Sequence, residues 1–189
     1  VEALRDKQLE EFLTKKEKLS DLSMQKNEEI IKNLSEQIIK LGGNPNLDNK
    51  NQNDLIKNLN KQYDQLSIKN ILSDKSKNII KDETINSVKV RFQKIIDLPP
   101  KDLRKLVDSG KKEIGEGIVV IFASKDGKIG LAVGVTSKFT NKYDAVKFAK
   151  IGSELMGGKG GGGRPDFAQA GGVEVNKIDE AFEKLKSLI

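Results

Sequence analysis

The chain has 189 residues, of which 36% are hydrophobic, 33% charged and 5% aromatic, and its net charge is +6; that is enough for one or two compact domains with a lean core. Histidine and cysteine are both absent, which excludes a Ser-His-Asp triad, a thiolate nucleophile, disulfides and an ordinary zinc site. No Asp/Glu cluster has calcium-loop spacing, so catalysis by this chain, or a cofactor or metal of its own, is not expected.

The first stretch, VEALRDKQLEEF, is not a signal peptide, and it opens in the middle of a helical pattern, as a piece of a longer parent would. Leu9, Phe12, Leu19, Leu22, Ile30, Leu34, Ile38 and Leu41 then recur at helical spacing along one face. Lys16 and Lys26 interrupt the stripe, so the seam is coiled-coil-like but imperfect. GGNPNLDN at 42–49 ends the helix, with Gly42 and Gly43 as C-cap and Pro45 unable to continue it. A second stripe runs through Leu55, Leu59, Tyr63 and Leu66, and less regularly through Ile71, Leu72, Ile79 and Ile80. Residues 1–87 therefore read as an antiparallel helical hairpin, its first helix about 60 Å long if unbroken.

The period changes in residues 88–189. VKVRFQKII (88–96) alternates as a strand, and Pro99 and Pro100 break it before a helix over 101–112. GIVVIFAS (117–124) and KIGLAVGVT (128–136) flank Lys125-Asp126-Gly127, a hairpin signal. Helical spacing returns over 143–156 and again over 178–188, with the glycine-rich stretch between them. The expected fold class is α+β: the hairpin, then a small α+β domain with a mainly antiparallel sheet. Charge follows the same division. Residues 1–87 hold 15 Lys/Arg and 15 Asp/Glu, while residues 88–189 hold 19 against 13. The surplus points to a polyanionic partner, although a composition rich in Lys, Asn and Ile would also produce it.

Residues 157–172, GGKGGGGRPDFAQAGG, are the most informative stretch. Gly158, Gly160 and Gly163 match G-x-G-x-x-G in form, but a helix precedes them and Arg164-Pro165 follows, whereas a dinucleotide fingerprint sits between a strand and a helix. Nor is there a P-loop, since Gly158-Lys159 is followed by Gly160. A flexible linker is the plain alternative, but linkers join domains and this stretch lies within one. Residues without Cβ expose backbone N–H groups and let another backbone come close. With Lys159 and Arg164 at its ends, the run Gly160, Gly161, Gly162 and Gly163 is suited to phosphate.

GGKGGGGRPDFAQAGG closely resembles the signature of the C-terminal domain of alanyl-tRNA synthetases, a domain shared more distantly with DHH-type phosphoesterases. In those phosphoesterases a histidine commonly follows the glycines; here Arg164 and Pro165 do, as in the synthetase branch. VEALRDKQLEEF is also similar to the segment that leads from the synthetase editing domain into its helical region. The resemblance implies a helical and a globular subdomain that bind the elbow of alanine tRNA, join aminoacylation to editing and in many members mediate dimerisation. It implies RNA contact through Lys159, Gly160, Gly161, Gly162, Gly163 and Arg164. The parent would be a cytoplasmic alanine–tRNA ligase using ATP, magnesium and zinc in upstream domains. A different reading is a dimerisation arm whose globular end touches only protein; a phosphoesterase substrate domain is disfavoured by the missing histidine.

Overall fold

The computed structural model describes residues 2–49 and 51–189. Two compact units divide it, Val1–Asn70 and Ile71–Ile189.

The first unit is built on α1 (Glu2–Lys40) and most of α2 (Gln52–Ser73). Gly42 adopts φ 79°, and the N–H groups of Gly42 and Gly43 reach back to the carbonyls of Ile39 and Ile38, each at 2.9 Å. That is a Schellman ending, open to Gly42 because it has no Cβ penalty at positive φ. Asn51 opens α2 by accepting from the N–H of Asn53 at 2.9 Å. Ile38, Leu55 and Leu59 form the buried centre, with Ile31, Leu34, Tyr63 and Leu66 around it. Leu9, Phe12, Leu19, Leu22 and Ile30 of the first stripe are exposed. The reason is placement: the hydrogen bonds between the helices run from Asn27–Asn53 to Leu41–Asn70, so α2 lies beside the last third of α1 and leaves Leu9, Phe12, Leu19 and Leu22 uncovered.

The second unit carries a six-stranded sheet in the order β1-β2-β3-β4-β6-β5, with β1 at Asn78–Ile85, β2 at Val88–Ile96, β3 at Gly117–Lys125, β4 at Lys128–Val135, β5 at Gly161–Arg164 and β6 at Phe167–Gly172. Every neighbouring pair is antiparallel except β2 with β3, which are joined by the crossover helix α3 (Leu103–Ile114). The expected α+β fold with a mainly antiparallel sheet is what the chain forms. Ile79 and Ile80 correct one detail. The sequence places them in the second helical stripe, but they lie in β1, within residues assigned to the helical hairpin. Their adjacency fits either period. The turn that decides it, Asn86-Ser87 with φ 46° and 67°, is a two-residue hairpin without the usual glycine.

α3 covers β2, β3 and β4 on one face of the sheet, while α4 (Ala145–Leu155) lies over β4, β6 and β5 on the other. α5 (Ile178–Lys186) packs beside α4 and sets Phe182 edge-on against Phe92 and Phe122, with ring centroids 5.2 and 4.5 Å apart. Being central and covered twice, β3 is buried along nearly all its length. Ile118, Val120 and Phe122 join the α4–α5 core, and Val119 faces α3. That explains an unbroken apolar run where a half-exposed strand would alternate.

Candidate nucleic-acid interface

The glycine-rich stretch forms the outermost hairpin of the sheet, β5–β6, turned by Pro165 and Asp166. A buried serine on α4 fixes its entry. The Ser153 hydroxyl donates to the Gly171 carbonyl at 2.6 Å and accepts from the Gly160 N–H at 3.2 Å. The Gly158 N–H donates to the Ser153 carbonyl at 2.8 Å. At the other end the Val135 N–H donates to the Asp166 carbonyl at 2.9 Å and the Ala145 N–H to that of Pro165 at 3.0 Å. The glycines are thus part of an ordered strand, which a linker is not.

Strand alternation sorts this hairpin by side. Gly161 and Gly163 stand opposite Ala170 and Ala168, on the α4 side where Ala168 is buried in the core. A Cβ at Gly161 would lie 2.3 Å from the Gln169 carbonyl oxygen and 2.5 Å from Ala170 Cβ. The backbones approach so closely there that only glycine fits. Gly162 and Arg164 stand opposite Gln169 and Phe167, on the side that α3 covers only as far as β4. Nothing lies within 4 Å of a Cβ built on Gly162, so this strip of backbone is open.

Cations gather along the open strip. The Arg164 side chain is 69% exposed, and its guanidinium meets Asp166 only at 3.3 Å and 3.5 Å. Arg104 of α3 lies over the Phe167 ring, 5.2 Å from its centroid. Lys111 Nζ donates to the Asp166 carbonyl at 3.2 Å. Beside that turn is a shallow depression lined by Lys111, Lys112, Thr136, Ser137, Thr140 and Asp166. The arrangement offers cationic groups, open backbone and a half-buried ring to one ligand surface. Phosphates and a ribose edge suit it.

Of the six residues singled out from sequence, Gly162 and Arg164 lie on this strip. Gly161 and Gly163 serve the packing beneath it. Lys159 is exposed and Gly160, at φ 99°, leads into the far end of β5, so Lys159 and Arg164 are separated by the whole strand. Sequence reasoning missed Arg104, Gln169 and Lys111. One signal was present: the chain has four arginines, Arg5, Arg91, Arg104 and Arg164, and two of them converge here. Among the described residues no group of three or more Asp/Glu could hold a metal ion, and no helix is long and apolar enough to cross a membrane.

Comparison with known proteins follows the same outline. The family model described as the DHHA1 domain matches residues 87–189, more than half of the chain. The alanine–tRNA ligase of Parvibaculum lavamentivorans is 49% identical over 108 residues, 57% of this chain and 12% of that protein. That of Bradyrhizobium diazoefficiens is 45% identical over 103 residues, 54% of this chain and again 12% of that protein. The chain thus spans about an eighth of the length of these relatives. Among solved structures, the C-Ala domain of Aquifex aeolicus alanyl-tRNA synthetase is similar at a TM-score of 0.54 and 30% identity, over 57% of this chain and 96% of that one.

Proposed function

The chain belongs to the DHHA1 domain family, and on that premise we propose that it is the C-terminal tRNA-binding and assembly module of an alanyl-tRNA synthetase. In this reading the parent attaches alanine to its tRNA with ATP, and the module holds the tRNA elbow while the acceptor end passes between aminoacylation and editing. The observation that carries the proposal is the open side of β5–β6, where Gly162 presents bare backbone between Gln169 and the exposed Arg164. Its cationic edge is built from Arg104, Lys111 and Lys112 of α3. Such a surface reads backbone and shape more than base identity, because A-form RNA exposes ribose and phosphate in its shallow groove.

The test is binding of the chain to alanine tRNA, with a minihelix that keeps the acceptor stem and lacks the elbow as control. Tight binding of the tRNA and weak binding of the minihelix support the reading. Equal binding of both, or of neither, overturns it. The exposed stripe Leu9, Phe12, Leu19 and Leu22 of α1 favours a second reading, a dimerisation arm without RNA contact. It would be marked by self-association of the chain together with indifference to tRNA.

A further inference from the structure

The sheet face that carries α4 and α5 is not covered to its edge. α5 rests through Phe182 on Phe92 of β2 and Phe122 of β3, and β1 extends past it as the last strand. The side chains beneath this overhang follow from the register. Ile79 lies opposite Lys94, and Lys81 opposite Phe92, so all four stand on the α5 side. Asp179, Phe182, Glu183 and Lys186, on one face of α5, form the facing wall. Between strand and helix lies a cavity of about 300 Å³, at the lower end of the range for small-molecule sites.

Ion pairs bound both ends of the cavity. Lys94 meets Asp179 at 3.0 Å, while Lys186 meets Glu83 at 3.0 Å and Glu183 at 3.2 Å. The Lys94 and Lys186 side chains are only 22% and 23% exposed, so their methylene stems join Phe92, Phe182 and Ile79 in an apolar lining. Lys186 also lies over the Phe92 ring, 5.4 Å from its centroid, and its hydrogen bond to Glu83 chiefly raises its pKa, which keeps it charged. Lys81 differs from both. It stands exposed at the rim and has no ion-pair partner among the described residues. The lining therefore sets three lysines against two carboxylates; Glu83 lies just outside it and is engaged by Lys186.

We propose that this cavity binds a small organic monoanion with a flat apolar body, of the aryl carboxylate class. The ring system enters the slot between β1 and α5 and covers Phe182, Ile79 and the lysine stems, while the carboxylate takes the Lys81 ammonium at the rim. The end pairs select against other charges. A second negative charge would meet Asp179 or Glu83, whose lysines are already engaged, so a phosphate monoester is disfavoured. A cation would sit beside the unpaired Lys81, and a neutral ring would forgo the charge-assisted bond. The site does not depend on the RNA reading, since it lies at the edge of the sheet opposite the β5–β6 hairpin.

The experiment is an amide NMR titration of the whole chain, without RNA, with 2-naphthoate, its neutral amide 2-naphthamide and 2-naphthyl phosphate, for wild type and Lys81→Met. Wild type should bind 2-naphthoate with a Kd of about 1 mM or tighter. The shifts should centre on the amides of Lys81, Phe92, Lys94, Phe182 and Lys186. Both 2-naphthamide and 2-naphthyl phosphate should bind about three- to fivefold more weakly, as one exposed ion pair allows. Lys81→Met keeps the stem and removes the charge, so it should bring 2-naphthoate down to the level of 2-naphthamide and leave 2-naphthamide unchanged. Absence of saturable shifts, or shifts centred elsewhere, overturns the proposal. So does equal or tighter binding of 2-naphthamide or 2-naphthyl phosphate to wild type, or wild-type affinity for 2-naphthoate in Lys81→Met.

Discussion

Gly161 and Gly162 are adjacent, identical and both exposed, yet they should answer substitution in opposite ways. A Cβ at Gly161 would lie 2.3 Å from the Gln169 oxygen and 2.5 Å from Ala170 Cβ, more than an ångström inside contact distance. Both obstacles belong to the rigid paired strand β6, so they cannot swing aside as a flexible side chain would. Gly161→Ala should therefore cost about 1–3 kcal/mol, the range for overpacked sites, and lower the melting temperature by roughly 5–15 °C for a unit of this size. Gly162 has no atom within 4 Å of its Cβ position, so Gly162→Val should leave stability within about 0.5 kcal/mol. A valine there stands on the proposed RNA surface and should weaken tRNA binding about tenfold. Thermal melts followed by circular dichroism, and tRNA titration by fluorescence anisotropy, read the two quantities on the same variants. Equal melting temperatures for Gly161→Ala and wild type would refute the packing argument. Wild-type affinity in a folded Gly162→Val would refute the placement of the RNA on this side.

Ser153→Ala should cost about 0.5–1.5 kcal/mol, because it removes the buried hydroxyl that joins the Gly171 carbonyl to the Gly160 N–H, and hydrogen exchange at the Gly160 amide should quicken. A polypeptide starting at residue 71 should melt cooperatively, whereas one starting at 88 loses β1 and leaves Arg91 without Asp82; the comparison is two melting curves. The pKa of Asp82 is lowered in the fold, chiefly by its hydrogen bonds from Arg91. Its stabilising effect is therefore present above the unfolded value of about 3.9 and lost as pH falls through the folded one. Because the Asp82 side chain is 53% exposed, the contribution is screened to less than about 1 kcal/mol. Asp82→Asn should flatten the stability curve below about pH 4, as read from denaturant midpoints against pH.

Much of this fold is legible in the sequence because its signals are local. The Gly42 helix end, the Asp126-Gly127 turn and the alternation over 88–96 each depend on a few neighbouring residues, and each forms where expected. The β1 strand was hidden because Ile79 and Ile80 continue a helical stripe and their hairpin uses Asn86-Ser87. The β5 strand was hidden because glycine carries no periodicity: Gly161–Gly163 become a strand only through pairing with β6, a tertiary effect. The candidate site divides in the same way. Composition and order draw attention to Arg164 and the glycines, but which glycine is open depends on strand parity. The approach of Arg104 to Phe167 depends on α3 stopping at β4, and no local pattern records either.

The measurement closest to the central claim is the salt dependence of alanine tRNA binding, compared between wild type and Arg164→Ala. A handful of phosphate contacts gives wild type a log–log slope of about −3 to −5, at roughly 0.7 to 0.9 per contact. Since Arg164 is exposed and only loosely paired with Asp166, Arg164→Ala should keep the wild-type melting temperature, lose about 1–3 kcal/mol of binding and shallow the slope by about 0.8. A flat slope in wild type, or an unchanged affinity and slope in the variant, would contradict the assignment of the β5–β6 hairpin as the RNA-binding surface.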